Sequence, residues 1–103
     1  MTYDSTTQTP ALTLDGEELK VGDEVIIARQ PEDTANDVLW TGSMLRCVGK
    51  TGIVVRLSTS NLDRIEHQRI YGDDIVFVDV GDQLSSWWFR ISELSRPATY
   101  HQR

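Results

Sequence analysis

Short apolar runs separated by glycine-containing turns dominate the chain, and this pattern is typical of β-strands joined by tight turns. Leu12 and Leu14 alternate with polar residues before the turn dipeptide Asp15-Gly16. Runs rich in β-branched or aromatic residues predict strands over Glu24–Arg29, Ile53–Leu57, Ile75–Val80 and Trp87–Ile91. A weaker alternation predicts another, exposed strand over Arg64–Tyr71, after a polar hairpin loop over Ser58–Asp63.

Residues 31–46 fit neither a strand nor a helix, because Pro31, Asn36 and Gly42 interrupt both periods. This segment is predicted as a long loop with one helical turn over Ser43–Arg46. A connection of this length in a small domain is often functional. One 3₁₀ turn is predicted over Ser92–Leu94, and no long helical period is visible elsewhere. The elements together predict an all-β domain, either a small barrel or a sandwich.

Three groups of residues, in this order along the chain, resemble the SH3-like repeats of mind bomb ubiquitin ligases. They are Val21-Gly22-Asp23-x-Val25; then Trp40-Thr41-x-x-Met44 followed by Gly49-x-x-Gly52-x-Val54-Val55; and finally Trp87-x-Phe89-x-x-x-x-Leu94. The resemblance covers residues 19–96. It implies a small SH3-like five-stranded barrel with a long first loop, and a domain that recognises peptide segments of other proteins. Residues 58–74 form a longer stretch than such repeats usually need.

Ligase activity is not implied by the resemblance. One cysteine cannot build the zinc site of a RING element, and the chain has no ankyrin repeats. The expected organisation is a flexible tail over residues 1–11, the barrel over 12–97 and a second flexible tail over 98–103. Both tails are polar and hold little that could be buried.

The alternation of side chains along each strand predicts which residues form the core. Trp87 and Phe89 are expected inside and Trp88 and Arg90 outside, because neighbouring side chains on a strand point to opposite faces. Trp88 is then either an interface anchor or covered by the 31–46 loop or a tail. The predicted core comprises Val25, Ile27, Ile53, Val55, Val76, Val78, Trp87 and Phe89. The opposite parity of the Ile75–Val80 strand would place Ile75 and Phe77 inside instead.

Length, cysteine content and charge narrow the class of protein. The chain has 103 residues, which suits one domain. Cys47 is its only cysteine, and no secretory signal or membrane-spanning run is visible. A cytoplasmic or other internal, reducing compartment is therefore expected. The net charge is −6, and residues 1–37 carry nine acidic and two basic side chains. This acidity disfavours nucleic acid as a partner, although one basic group remains: Arg46, Lys50, Arg56, Arg64 and Arg69.

No constellation of residues predicts catalysis. His67 lacks a second ligand at metal spacing, Cys47 has no general base nearby in sequence, and the adjacent carboxylates lie in predicted turns. We therefore expect no enzyme activity, no metal and no cofactor. The candidate partner-binding residues are Trp88, Arg90, Tyr71, Trp40 and Met44. Trp40 and Met44 have a second interpretation, as a plug that seals one end of the barrel.

Three functions remain open at this point. The first is a protein-interaction module that binds a peptide segment or docks on a partner protein. The second is a small structural subunit of a larger assembly. The third is a KOW-like nucleic-acid-associated barrel, which would need a basic face in spite of the chain's acidity.

Overall fold

The computed structural model describes residues 11–58, 60–81 and 84–97. Within these residues, short strands dominate and one α-helix is present. The strands are β1 (Thr13–Leu14), β2 (Glu17–Glu18), β3 (Glu24–Ile27), β4 (Thr51–Leu57), β5 (Ile75–Asp79), β6 (Ser86–Arg90) and β7 (Leu94–Ser95); the helix is α1 (Asn61–Tyr71). Single 3₁₀ helices cover Thr34–Asn36, Gly42–Cys47 and Ile91–Glu93. The predictions for residues 1–10 and 98–103 lie outside the described residues.

The main sheet has five antiparallel strands in the order β6-β5-β4-β3-β7. Each strand from β3 to β5 pairs with the next along the chain, and β7 returns to pair with β3. Among the described residues no pairing joins β6 to β7, so the sheet is open and a closed barrel is not present. The all-β prediction is confirmed in that antiparallel strands dominate the described residues, but the predicted five-stranded barrel is not. The predicted helical turns near residues 43–46 and 92–94 are present as 3₁₀ segments.

The first two strands form a separate hairpin, whose turn consists of Asp15 at φ 55° and Gly16 at φ 86°. Two consecutive residues with positive φ give a turn whose twist matches the strands that it connects. Arg96, which is buried, fastens this hairpin to the main sheet. Its guanidinium donates to the carbonyls of Leu14, Glu17 and Glu18 and pairs with Asp23 at 3.0 Å.

The core lies on one face of the main sheet and is closed by the 31–46 loop. Its largest fully buried side chains include Val25, Ile27, Val54, Val76, Val78, Phe89 and Leu94. Trp40, Met44 and Cys47 fill the core from the loop side. The buried core therefore contains apolar side chains from both the main sheet and the 31–46 loop.

The predicted facing of β4 is wrong. Ile53 and Val55 are each 42% exposed, whereas Val54 is fully buried. Burial alternates regularly over Gly52–Val55, but with the parity opposite to the predicted one: Val54 pairs with the core residue Val78, and Ile53 and Val55 face the other way. Ile53, Val54 and Val55 are all apolar, so their pattern does not distinguish the two parities. The register shifts only beyond Val54, between it and Arg56. Val25, Ile27, Val76, Val78 and Phe89 are buried as predicted, and Trp87 is partly buried against the same core.

The expected strand over Arg64–Tyr71 and the hairpin loop over Ser58–Asp63 are also wrong, because α1 occupies this stretch. Ser60 caps the helix by accepting the N–H of Asp63, and Gly72 ends it at φ 82° in the left-handed region. No residue of α1 is fully buried. The helix therefore lacks the apolar stripe by which an amphipathic helix is recognised in a sequence.

Candidate interaction surface

The face of the main sheet opposite the core carries a partly exposed group of apolar and aromatic side chains. Phe77 pairs with Trp88 across β5 and β6, and their ring centroids lie 5.0 Å apart. Ile53 and Val55 project from β4 on the same face. We call the outer patch the set formed by these four residues together with His67 and Tyr71 of α1.

Helix α1 lies over one side of the outer patch. The His67 ring is centred 6.2 Å from Trp88 and 6.1 Å from Tyr71, and its Nδ1 lies 3.3 Å from the Ser58 hydroxyl. Trp88 is thus partly covered by α1, which the sequence did not predict. The alternative of cover by a tail lies outside the described residues. Tyr71 and Trp88, two of the predicted partner-binding residues, are brought into one continuous aromatic row.

Arg90 lies on the outer face, as the alternation predicted, but its guanidinium is engaged within the chain. It contacts Asp37 at 3.0 Å and Glu93 at 2.7 Å, and its Nε donates to the carbonyl of Tyr71 at 2.6 Å. Its side chain is largely buried. Arg90 therefore joins β6, α1 and the 31–46 loop, and it positions the outer patch without offering a free charge to a partner.

Trp40 and Met44 are core residues. Trp40 is only 4% exposed, stands edge-on to Phe89 with ring centroids 5.6 Å apart, and donates its indole N–H to Glu93 at 2.9 Å. Met44 is fully buried on the same side. Burial leaves neither side chain on the surface for a partner. The two residues cover one face of an open sheet, so the predicted role as a plug of a barrel end stays untested.

Two acidic residues that the sequence did not single out organise this region. Asp37 accepts the backbone N–H groups of Leu39 and Trp40 at 2.8 and 3.0 Å. Burial alone would raise the pKa of Asp37, but these bonds and the Arg90 guanidinium hold it below the ordinary value. Glu93 is buried and accepts from Trp40 and Arg90. An aspartate two residues before a Leu-Trp pair was a local sign of such a turn.

Exposed charges border the outer patch without filling it. Glu24 and Asp79 lie in the same cross-strand row as Ile53, and Arg56 lies opposite Phe77. Two members of the predicted basic group are paired, Arg64 with Asp74 at 3.0 Å and Arg69 with Glu66. Burial by itself would raise the pKa of Asp74, but hydrogen bonds from Arg64 and Gln68 hold this pKa below its ordinary value. The basic group is therefore partly neutralised within the chain.

The described ranges show no arrangement with obvious chemistry. No group of three or more His, Cys, Asp or Glu residues within them could hold a metal ion. Cys47 is buried, and burial raises the pKa of its thiol, which suppresses the reactive thiolate. Over the same residues, no helix is long and apolar enough to cross a membrane.

Comparison with known proteins gives no match: no protein-family model fits the chain, and neither a curated protein nor a solved structure is significantly similar to it.

Proposed function

We propose that this chain is a non-catalytic protein-interaction module that binds a segment of a partner protein on the outer patch. The observation that carries the proposal is the juxtaposition of a partly exposed aromatic row from α1 and β6 with Ile53 and Val55, which are both 42% exposed. Aromatic side chains that are held rigid and only partly covered are frequent anchors of protein interfaces.

The architecture supports placing the module in the SH3-like class. Four strands, β3 to β6, follow one another as an antiparallel meander, a 3₁₀ turn over Ile91–Glu93 precedes β7, and β7 pairs with β3. Of the residues in the mind bomb resemblance, Trp40, Met44 and Phe89 are buried in the core. They fit a framework role in such a repeat, whereas Val55, which also belongs to the resemblance, lies in the outer patch.

The charge of the chain favours a protein partner over nucleic acid. A net charge of −6 repels a phosphate backbone. The bonds of Arg64 to Asp74 and of Arg69 to Glu66 leave little cationic surface beside α1. A polypeptide needs no such surface, because apolar contacts and main-chain hydrogen bonds can bind it.

The test compares outer-patch variants with a control of matched exposure. Ile53→Thr and Val55→Thr each remove apolar surface and keep a β-branched residue that suits a strand. Leu45→Thr is the control, because Leu45 is 40% exposed but lies in the 3₁₀ segment on the core side of the sheet. The tagged full chain and the three variants are isolated from cells at natural expression level, and the co-isolated proteins are quantified.

The proposal expects proteins that co-isolate with the parent chain and with Leu45→Thr, and whose yield falls at least severalfold with Ile53→Thr and Val55→Thr. Circular dichroism and thermal melts establish that the variants are folded. Equal yields from all four chains would place any interface elsewhere and overturn the proposal. Association that persists through high salt and never exchanges would indicate the structural-subunit alternative.

A further inference from the structure

Strand β6 lies at the edge of the main sheet, and some of its backbone hydrogen-bonding groups have no partner among the described residues. Val80 donates to the carbonyl of Ser85 at 3.1 Å, and Ile91 donates to the carbonyl of Asp74 at 3.0 Å. Hydrogen-bonded pairs alternate along an antiparallel ladder, so within the β5–β6 register the N–H and C=O groups of Ser86 and Trp88 point away from β5. In the described part of the chain, no strand pairs with this edge.

The edge is open over a short length only. The next outward N–H, that of Arg90, donates to the Glu93 carboxylate at 2.9 Å. The available groups are therefore the N–H and C=O of Ser86 and of Trp88. Two donors and two acceptors in this arrangement match the main chain of an extended polypeptide.

We propose that the β6 edge accepts an extended segment of a partner protein as a sixth strand of the main sheet, with a basic residue opposite Ser86 and an apolar residue opposite Trp88. This inference rests on the proposed function and names the mode of binding. The added strand would carry its apolar side chain onto the outer patch, because side chains opposite one another on adjacent strands share a face.

The preference for a basic residue follows from the row of side chains that ends at Ser86. Across the sheet this row contains Glu24, Ile53, Asp79 and Ser86 in register. Adjacent strands lie about 4.8 Å apart, so Asp79 would be two strands, or about 10 Å, from the added residue. Ser86 is too small to block the space between them. A lysine or arginine side chain reaches across it to the exposed Asp79 carboxylate.

A second copy of this chain is a poorer occupant of the edge. Each copy carries a net charge of −6, so two copies repel one another. The open edge of two residues would contribute only a few backbone bonds to a symmetric pair, and short edges are a known protection against self-pairing. A basic segment of another protein meets neither obstacle.

The experiment starts from a random twelve-residue peptide library displayed on phage and selected against the immobilised full chain. Selected peptides are synthesised, and each backbone nitrogen is methylated in turn. An added strand directs alternate N–H groups toward its neighbour, so methylation should abolish binding at the two positions, two residues apart, that bond the carbonyls of Ser86 and Trp88. It should be tolerated at the position between them. In the complex, amide hydrogen exchange of Ser86 and Trp88 should slow at least tenfold relative to the free chain.

The side-chain preference is tested by Asp79→Asn, with Glu24→Gln as the matched control. Glu24 is in the same row but two strands farther from the edge, on β3 rather than β5. We expect Asp79→Asn to weaken binding of the selected basic peptides about three- to tenfold, the usual scale for a partly exposed charge pair, and Glu24→Gln to change it little. Equal effects of the two variants would remove the assigned role of Asp79.

The outcomes separate this inference from the proposed function. In one outcome, the selected peptides lose affinity for Ile53→Thr but show no two-residue period on methylation and do not protect the amides of Ser86 and Trp88. This outcome overturns strand addition and leaves the proposed interaction module standing. Peptides that are insensitive to Ile53→Thr and Val55→Thr and also show no methylation period or protection of Ser86 and Trp88, or the absence of any selected peptide, contradict both. A free chain that light scattering shows to be a dimer, with the Trp88 amide already protected, assigns the edge to a second copy and overturns the inference.

Discussion

Replacement of Glu93 by alanine tests how the 31–46 loop is held against the sheet. The Glu93 carboxylate accepts the Trp40 indole N–H at 2.9 Å, the Arg90 backbone N–H at 2.9 Å and the Arg90 guanidinium at 2.7 Å. Alanine leaves the indole N–H unsatisfied inside the core, which costs about 1–3 kcal/mol. It also removes one partner of a buried ion pair, a change that typically costs about 3–5 kcal/mol.

The two costs overlap, and Arg90 keeps Asp37 as a partner at 3.0 Å. We therefore expect Glu93→Ala to lower the free energy of unfolding by about 3–4 kcal/mol, a large share of the roughly 5–15 kcal/mol that holds a domain folded. Glu93→Gln keeps an acceptor for the indole but loses the charge and the second oxygen, which accepts from the Arg90 guanidinium, so about 1–2 kcal/mol is expected. Urea denaturation followed by far-ultraviolet circular dichroism measures both values.

A double-mutant cycle with Trp40→Phe isolates the indole bond. Phenylalanine removes the N–H, so Glu93→Ala should cost about 1 kcal/mol less in the Trp40→Phe background than in the parent. If Glu93→Ala and Glu93→Gln are equally mild, below about 1 kcal/mol, the carboxylate does not anchor the loop and the reasoning is refuted. Strictly additive effects of Glu93→Ala and Trp40→Phe would refute the assignment of the indole bond alone.

Three further predictions concern stability. Gly52→Ala should destabilise the domain by about 1–3 kcal/mol in urea denaturation, because an added Cβ would lie 2.5 Å from Val78 Cγ1 and 2.9 Å from the Asp79 carbonyl; an unchanged midpoint would contradict the register of β4. Trp87→Ala should lower the free energy of unfolding by about 3 kcal/mol, because Trp87 packs on the core and donates to the Leu84 carbonyl at 2.6 Å. Trp88→Ala should lower it by about 2 kcal/mol, because Trp88 lies on the outer face. A larger loss for Trp88→Ala than for Trp87→Ala would contradict the facing of β6. The pKa values of Asp37 and Asp74 lie below the ordinary 3.8 in the folded chain. The stability that these two carboxylates confer is therefore present above about pH 4 and is lost as the pH falls further. Denaturation midpoints measured between pH 6 and pH 2.5 check this loss, and a loss that Asp37→Asn and Asp74→Asn leave unchanged would contradict the prediction.

The strands were predictable where one physical signal dominated. Runs such as Ile75–Val80 combine β-branched residues with glycine-containing turns, and they correspond to β5 and its neighbours within one or two residues. The facing of β5 and β6 also followed from alternation, which placed Val76, Val78 and Phe89 in the core. The facing of β4 did not, because Ile53, Val54 and Val55 are all apolar and the pattern does not say which of them face the core.

Helix α1 was missed because its strongest signals lie at its ends rather than along its length. Ser60 and Gly72 are favourable cap residues, but the exposed Leu62 and Ile65 do not form an apolar face directed at a core. The candidate surface was partly predictable, because the alternation of side chains along β6 placed Trp88 on the outer face. The contacts of His67 with Trp88 and of Arg90 with Asp37 depend on tertiary packing across 21 and 53 positions of sequence, which no local pattern contains.

The central claim is that partners bind on the outer patch. The most direct measurement follows the backbone amide signals of the ¹⁵N-labelled full chain in NMR spectra while a peptide from the display selection is added. The account predicts shifts concentrated in β4, β5 and β6 around Ile53, Phe77 and Trp88, with the Gly42–Cys47 segment on the core side unchanged. Shifts concentrated in Gly42–Cys47, with β6 unchanged, would contradict it.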